Sequence, residues 1–378
     1  MLCFSHGKCV RCCLPICFAF LLPDSITFFP NTIERRYKYM ITSKDVARLA
    51  GVSHTTVSRA FRNDSKIKPE TYERIMRISE ELGYVPNQIA SSLRQKKTKT
   101  VGFIISHGFN PLFLEITHSI ETELAKHGYR LLISFDDEDP EQQWNILQSL
   151  ASAQVNTILF TPLIYEEEYK ERLHNWMQQT DIHFIQLVAD DYEDVTSFKF
   201  DDNLGAYLGT KHLLSNGHRN ILMVGGVNRT AGYFRAYEEY HEKPVHAYHD
   251  ITGKNDEESF SSIKAAILAQ RPTAVFAVST SLSYITYEVL NELKLKVPED
   301  ISFLAFDDER WLALMRISVI GHPTQALAAS IVREILSYET ADGEVYPSAT
   351  SFKPFLVERQ SVLPLHVPKD NNQPIKNN

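Results

Sequence analysis

The sequence predicts a small all-α helix-turn-helix module followed by a two-lobed α/β core built of parallel sheets flanked by helices. Three observations predict it. Charge is divided unevenly along the 378 residues: positions 40–100 carry 12 Lys and Arg against 6 Asp and Glu, whereas positions 101–378 carry 22 against 39. Within the basic part, apolar residues recur at helical spacing in three short blocks broken at Gly51 and Pro69. Beyond residue 100, short β-rich apolar runs alternate with amphipathic segments, the pattern of βαβ units. A chain of this length is expected to hold two or three domains.

Residues 42–62, TSKDVARLAGVSHTTVSRAFR, begin the basic module. Thr42 or Ser43 can cap the first helix, with Asp45 in its first turn where the helix dipole favours an acid. Val46, Ala47, Leu49 and Ala50 form its expected inner face, Gly51 lets the backbone leave the helix, and Val52 packs beneath the turn. Ser53 is a natural N-cap for a second helix running to Arg62, with Val57, Ala60 and Phe61 inward. Pro69 and Glu70 announce a third helix with Tyr72, Ile75, Met76, Ile78, Ser79 and Leu82 at mostly helical spacing, ended by Gly83.

Two short helices about a tight Gly-containing turn are the helix-turn-helix pattern, in which the N-terminal half of the second helix enters the major groove of DNA. His54, Thr55 and Arg59 point outward there, and Arg59 can donate two hydrogen bonds to guanine O6 and N7. Thr42, Ser53, Thr56, Ser58 and Asn63 suit phosphate oxygens, which position a protein without reading sequence. A generic helical hairpin shares this pattern, so the following segment carries weight. Asn87 can cap a single helical turn over Ile89-Ala90-Ser91-Ser92-Leu93, too short to be stable without a partner surface. Leu93 beside Arg94, Lys96, Lys97 and Lys99 suits a minor-groove wedge that unstacks a base step; the alternative is a solvated basic linker.

With these residues in place, DVARLAGVSHTTVSRAF, ETYERIMRISEELGYVPN and IASSLR resemble the DNA-binding headpiece and hinge helix of the lactose/galactose-repressor family of bacterial transcriptional regulators. The resemblance runs almost without break from Thr42 to Thr100. It implies that His54, Thr55 and Arg59 read bases, that Asn87 and Ala90 make hinge contacts, and that Leu93 is the intercalating leucine.

In the acidic body, strands are expected at VGFIIS, RLLISFD, TILFTP, HFIQLV, NILMVGG, VHAYHDI, TAVFAVS and ISFLAFDD, with a further one near Phe198. The intervening helices are expected around residues 114–127, 141–153, 166–179, 204–215, 232–241, 257–270 and 282–293. Two such series imply two lobes with a ligand cleft at the carboxyl ends of the strands. NPLF (110–113), GHRNILMVGG (217–226), RTAGY (229–233), KVPEDISFLAFDD (296–308) and FLVERQS (355–361) resemble the same family's effector-binding core, which has the type I periplasmic-binding-protein fold.

That resemblance implies chain crossings between lobes near 196–200, 320–325 and 340–346. It also implies effector contacts at Leu112, Phe113, Arg229 and Asp307, with Trp311 either stacking on the ligand or packing in the core. Departures from the family pattern are Val188-Ala189 for Asp-Arg, Ser279-Thr280 for Asn-Asp, His322 for Gln, and a shorter loop around Arg229. The implied protein is a homodimer on a pseudo-palindromic double-stranded operator. It would be a repressor of a sugar or other carbon-source operon, controlled by a sugar or sugar derivative between the lobes, acting in the cytoplasm without a cofactor.

The rival classes are a transported-solute receptor and a carbohydrate-active enzyme on a related α/β fold; the first would lack the headpiece and the second needs a paired acid and base at the cleft. No G-x-S-x-G, P-loop, G-x-G-x-x-G or H-E-x-x-H motif occurs, so no enzyme is expected. His241, His246 and His249 match no standard metal spacing, and no metal is expected.

No run of about 18 apolar residues is present, so no membrane partner is expected. The cysteines, Cys3, Cys9, Cys12, Cys13 and Cys17, are confined to the first residues. Residues 1–39 are expected to be a non-native or disordered extension, with translation starting at Met40, because Glu34-Arg35-Arg36 can be encoded as a purine-rich ribosome-binding sequence just upstream. The expected divisions are then 40–85 for the headpiece, 86–100 for the hinge, 101–361 for the core and 362–378 for a disordered tail.

Overall fold

The structure, a computed structural model, describes residues 41–61, 66–85, 98–106, 110–163, 167–245, 249–251, 255–340 and 346–365. The chain divides into two compact units, Met1–Asn87 and Gln88–Asn378. Among the described residues, no helix is long and apolar enough to cross a membrane. The first-residue extension, the hinge positions Asn87, Ala90 and Leu93, and Asn63 lie outside the described residues.

The first unit holds helices α1 (Ser43–Ala50), α2 (His54–Ala60) and α3 (Pro69–Leu82). Gly51 sits at φ 64°, a left-handed turn that glycine adopts without steric cost, and this turn sets α2 against α1. Val46, Ala47, Ala50, Val57, Ala60 and Ile75 form the core, flanked by Phe61 and Tyr84, whose rings meet edge to face at 5.6 Å. Leu49 is not in it: 54% of its surface is exposed, against the expected inward placing. At about 100° per residue it lies more than a quarter-turn from the middle of the Val46–Ala47–Ala50 stripe.

The second unit contains two six-stranded sheets. The first is built from β1 (Thr100–Ile105), α4 (Pro111–Lys126), β2 (Arg130–Phe135), α5 (Pro140–Ser152), β3 (Thr157–Phe160), α6 (Glu167–Met177), β4 (His183–Leu187) and β5 (Thr196–Phe200). The second is built from α7 (Asp202–Ser215), β6 (Ile221–Gly225), α8 (Thr230–Glu239), β7 (His249–Asp250), α9 (Asp256–Gln270), β8 (Ala274–Ala277), α10 (Thr280–Glu292), β9 (Ser302–Phe306), α11 (Arg310–Leu314) and β10 (Ser318–Gly321). The chain closes with α12 (Thr324–Thr340), β11 (Ala349–Phe352) and β12 (Phe355–Val357).

Strand orders are β11-β5-β4-β3-β1-β2 and β12-β10-β9-β8-β6-β7. All pairings are parallel except β10 with β12. Central strands such as β3, β4, β6, β8 and β9 are buried along their whole length, as parallel strands covered on both faces require.

The chain passes from the first lobe to the second after β5 and returns after β10. Helix α12 then joins the first lobe, its Leu327, Ile331 and Ile335 sharing a core with Ile116, Ile120 and Leu124 of α4. The last passage is at Lys353 and Pro354, downstream of 340–346, because β11 still pairs with β5 before β12 pairs with β10. Residues 362–365 are attached rather than free of the core: Val362 packs on it and the Leu363 carbonyl accepts from His218.

At the start of β4, buried His183 stacks on Tyr338 of α12 with ring centroids 3.9 Å apart. Burial pushes its pKa down to about 4 from 6.5, and burial also pushes Glu334, 3.7 Å away, up. A depressed histidine pKa contributes stability above the unfolded value that is lost as pH falls toward the folded one. Between about pH 6.5 and 4 this amounts to a loss of about 3 kcal/mol, reduced by Glu334, whose raised pKa acts in the opposite direction. Urea denaturation across that range should show a shallower acid decline in His183→Gln; an identical slope would remove His183 from the account.

Candidate functional site

In the first unit, the exposed side of α2 carries His54, Thr55 and Arg59. The helix start is tightly wired. Ser53 Oγ accepts from the Thr56 backbone N–H at 3.1 Å and lies 2.6 Å from Thr55 Oγ1 and 2.8 Å from Thr56 Oγ1. Thr55 therefore shares its hydroxyl with the cap, leaving its methyl and the side chains of His54 and Arg59 as the outward features. Thr42 donates both its backbone N–H (2.9 Å) and its hydroxyl (2.7 Å) to Asp45, and these bonds hold the Asp45 pKa below the usual range. Thr42 and Ser53 are thus engaged in capping α1 and α2, and Thr56 and Ser58 are half-buried beside them.

In the second unit, both sheets direct their carboxyl ends toward one cleft. On the first lobe, fully buried Asp136 accepts from Ser106 Oγ (3.0 Å) and Gln143 Nε2 (2.5 Å), while Tyr169 donates to Gln143 Oε1 (2.8 Å). This network ties together the ends of β1 and β2 and the start of α5. Val188, the residue after β4, has φ 62°, a strained conformation for a β-branched residue.

On the second lobe, Asp307 follows β9 at φ 66°, where aspartate is tolerated better than most side chains. It is 6% exposed and accepts from Thr280 Oγ1. His322 Nε2 stands 3.1 Å from Asp307 Oδ1, but at an angle that completes no hydrogen bond, so both ring nitrogens remain without one. Burial raises the Asp307 pKa, yet His322, the Thr280 hydroxyl and the charge of Arg229 outweigh it and hold the group below its ordinary value. The His322 ring stacks on Phe200 at 4.2 Å.

A cavity of about 740 Å³ opens between the lobes, with Leu112 and Glu115 on one side and Asp307, Glu309, Trp311 and His322 on the other. Trp311 packs against Tyr287 (5.5 Å) and also lines the cavity. Two expected contacts lie elsewhere. Phe113 is 4% exposed inside the first-lobe core; adjacent helical residues diverge by about 100°, so Leu112 faces the cavity and Phe113 does not. Arg229 donates to the Val278 carbonyl and to Asp202 Oδ2 (3.1 Å), and its guanidinium lies over Phe306 at 4.5 Å. Its hydrogen bonds thus go to the Val278 carbonyl and the base of α7, while its charge still acts on Asp307. A second cavity, about 570 Å³, opens at the amino ends of β8 and β9, away from the end where ligands bind in such folds.

Residues 42–87 match the bacterial regulatory proteins of the lacI family, and residues 210–362 match the periplasmic binding protein-like domain. The chain is 30% identical over 343 residues to the HTH-type transcriptional repressor PurR of Aliivibrio fischeri (strain MJ11), covering 86% of this chain and 99% of that one. The chain belongs to the lacI family. The ribose operon repressor of Haemophilus influenzae (strain Rd) is likewise 30% identical over 340 residues, covering 86% of this chain and all of the relative. The fold is shared with a lac repressor dimer bound to operator and the anti-inducer ONPF, at a TM-score of 0.72 and 22% identity over 85% of this chain and 99% of that one.

For this lacI-family chain, sequence reasoning left Glu115 and Glu309 out of the cleft. Glu115 lies one helical turn beyond Leu112 on α4, a signal that helical spacing from NPLF contained. Thr280 and His322 were visible as departures from the family pattern, without a role. Their contact with Asp307 joins three strand ends far apart in sequence.

Proposed function

We propose that this chain is a homodimeric repressor that binds a pseudo-palindromic operator and is controlled by a sugar-like small molecule in the cleft between its lobes. The observation that carries this reading is the helix-turn-helix with outward His54 and Arg59, in a chain collinear with named repressors over nearly their whole length. Arg59 reads guanine, His54 and the Thr55 methyl meet base edges, and Thr56, Ser58 and Asn63 sit near phosphates. The hinge segment with Asn87, Ala90 and Leu93 folds in the minor groove between half-sites.

Dimerisation is supported by β2, an edge strand that leaves Leu132, Ile133 and Phe135 exposed; an apolar edge of this kind needs cover. A regulator of this type works beside the chromosome, in the cytoplasm, and uses no catalytic chemistry.

The test is a gel shift with promoter fragments flanking the gene, at low salt, with sedimentation of the same sample. Retarded bands and a dimer mass are expected. Arg59→Ala should lower affinity for the specific site about 10- to 100-fold while leaving nonspecific binding nearly unchanged. Failure to retard any promoter fragment sinks the regulator reading; equal loss on all DNA removes Arg59 from base reading.

A further inference from the structure

The cleft is charged in a way that narrows the ligand. We propose that the effector is a polyhydroxylated primary amine of sugar size, bound as a cation with its ammonium between Glu115 of the first lobe and Asp307 with Glu309 of the second. This rests on the effector reading above and deepens it.

Four carboxylates face the cavity: Glu115, Asp307, Asp308 and Glu309. Asp308 is answered by Arg359, which binds both its oxygens at 2.6 and 2.7 Å. Glu115 accepts the Thr324 hydroxyl at 2.6 Å, which brings no charge. Glu309 has an Oε1 buried from solvent with no hydrogen-bond partner. Burial and the repulsion of Asp307 push its pKa up, the response of a carboxylate short of positive charge. Of the cations at hand, Arg229 is held by Asp202, and Arg310 is exposed on the rim.

A second observation is independent of the acids. His322 lines the same cavity with a buried ring, and its Nδ1 has no partner. A polar atom held this way is satisfied by a ligand hydroxyl. Ionised carboxylates only accept hydrogen bonds, so the missing chemistry is a donor that also brings charge; an ammonium supplies three N–H donors and a full positive charge. Trp311 and Phe355 add aromatic faces, suited to the C–H face of a sugar ring and to a nearby cation.

Among the described residues no group of three or more His, Cys, Asp and Glu is placed to hold a metal ion, and a cavity of about 740 Å³ has room for an organic cation. Because the carboxylates stand on opposite lobes, a cation between them favours the closed arrangement, and ligand binding is thereby coupled to lobe orientation.

The experiment is calorimetric titration of the full chain at about pH 6.5, where such amines are protonated. The ligands are D-glucosamine, D-galactosamine and D-mannosamine, each against its parent hexose and its N-acetyl derivative. At least one amino sugar should bind about tenfold or more tightly than both neutral counterparts. Glu309→Gln, and separately the exposed Glu115→Gln, should erase that preference with an unchanged melting temperature. Neutral forms binding as well as the amine, or no amino sugar binding at all, overturns the proposal. The gel shift run in parallel separates the two readings. A change in DNA binding caused by a neutral sugar, in either direction, overturns the amine and leaves the regulator intact, whereas absence of DNA binding with and without ligand sinks the regulator reading whatever the calorimetry gives.

Discussion

Gly232→Ala should destabilise the core by about 3 kcal/mol or more, enough to lower the soluble yield of the variant and its melting temperature by several degrees. A Cβ built at Gly232 would stand 1.9 Å from the Asn203 carbonyl oxygen and 2.8 Å from the Tyr207 backbone nitrogen. Both atoms belong to the backbone of α7, so no side-chain rotation can relieve the overlap; the two helices must separate. They are held close by the Gly232 N–H, which donates to Asn203 Oδ1 at 3.2 Å. Separation would also draw Tyr233 and Tyr237, both buried, from the second-lobe core. A thermal melt of the purified variant measures the effect. A melting temperature within a degree of the natural chain's would mean that the α7–α8 contact yields more easily than a close-packed backbone should.

The strands were readable because a parallel sheet covered on both faces demands continuous apolar runs, and TILF, HFIQL, ILMVG, AVFA and SFLAF are such runs. The headpiece was readable because three short helices must all carry caps, breakers and an apolar stripe within a few dozen residues. Which lobe a helix joins is a different matter. Helix α12 has a clear apolar stripe in Leu327, Ile331 and Ile335, but nothing in that periodicity says that it returns to pack on α4 of the first lobe. The final passage was misplaced for a related reason: β11 and β12 are short edge strands separated only by Lys353 and Pro354.

The site was legible in part. Asp307 could be placed because it ends a strand, where this architecture holds its ligands. Arg229 also stands at a strand end, yet its partner Asp202 lies 27 residues earlier, on the helix that begins the second lobe. An ion pair of that kind is a tertiary fact. It turns the Arg229 hydrogen bonds away from the cleft, and Glu309, whose pKa burial and the charge of Asp307 raise, lacks a cation of its own there.

Asp307→Asn should leave folding almost intact at neutral pH and abolish the response of DNA binding to effector, with ligand affinity falling about 100-fold. Asparagine has nearly the same volume and tolerates the left-handed backbone found at this position, φ 66°. Its side-chain oxygen can still accept from the Thr280 hydroxyl, whereas Asp307→Ala would leave that buried hydroxyl without its acceptor and cost about 2 kcal/mol. The charge is what the asparagine variant removes.

A pH series distinguishes this from a general loss of structure. Because the folded pKa of Asp307 lies below its ordinary value of 3.8, its contribution to stability is present above that value and is lost as pH falls through the folded pKa. Asp307→Asn should therefore lose part of the natural chain's acid decline below about pH 4, and its melting temperature at pH 7 should fall by what that contribution is worth while the variant stays folded. Operator binding without ligand should persist, since the headpiece is a separate compact unit. An asparagine variant whose DNA binding still responds to the effector of the natural chain would show that the ligand's principal anchor lies elsewhere in the molecule.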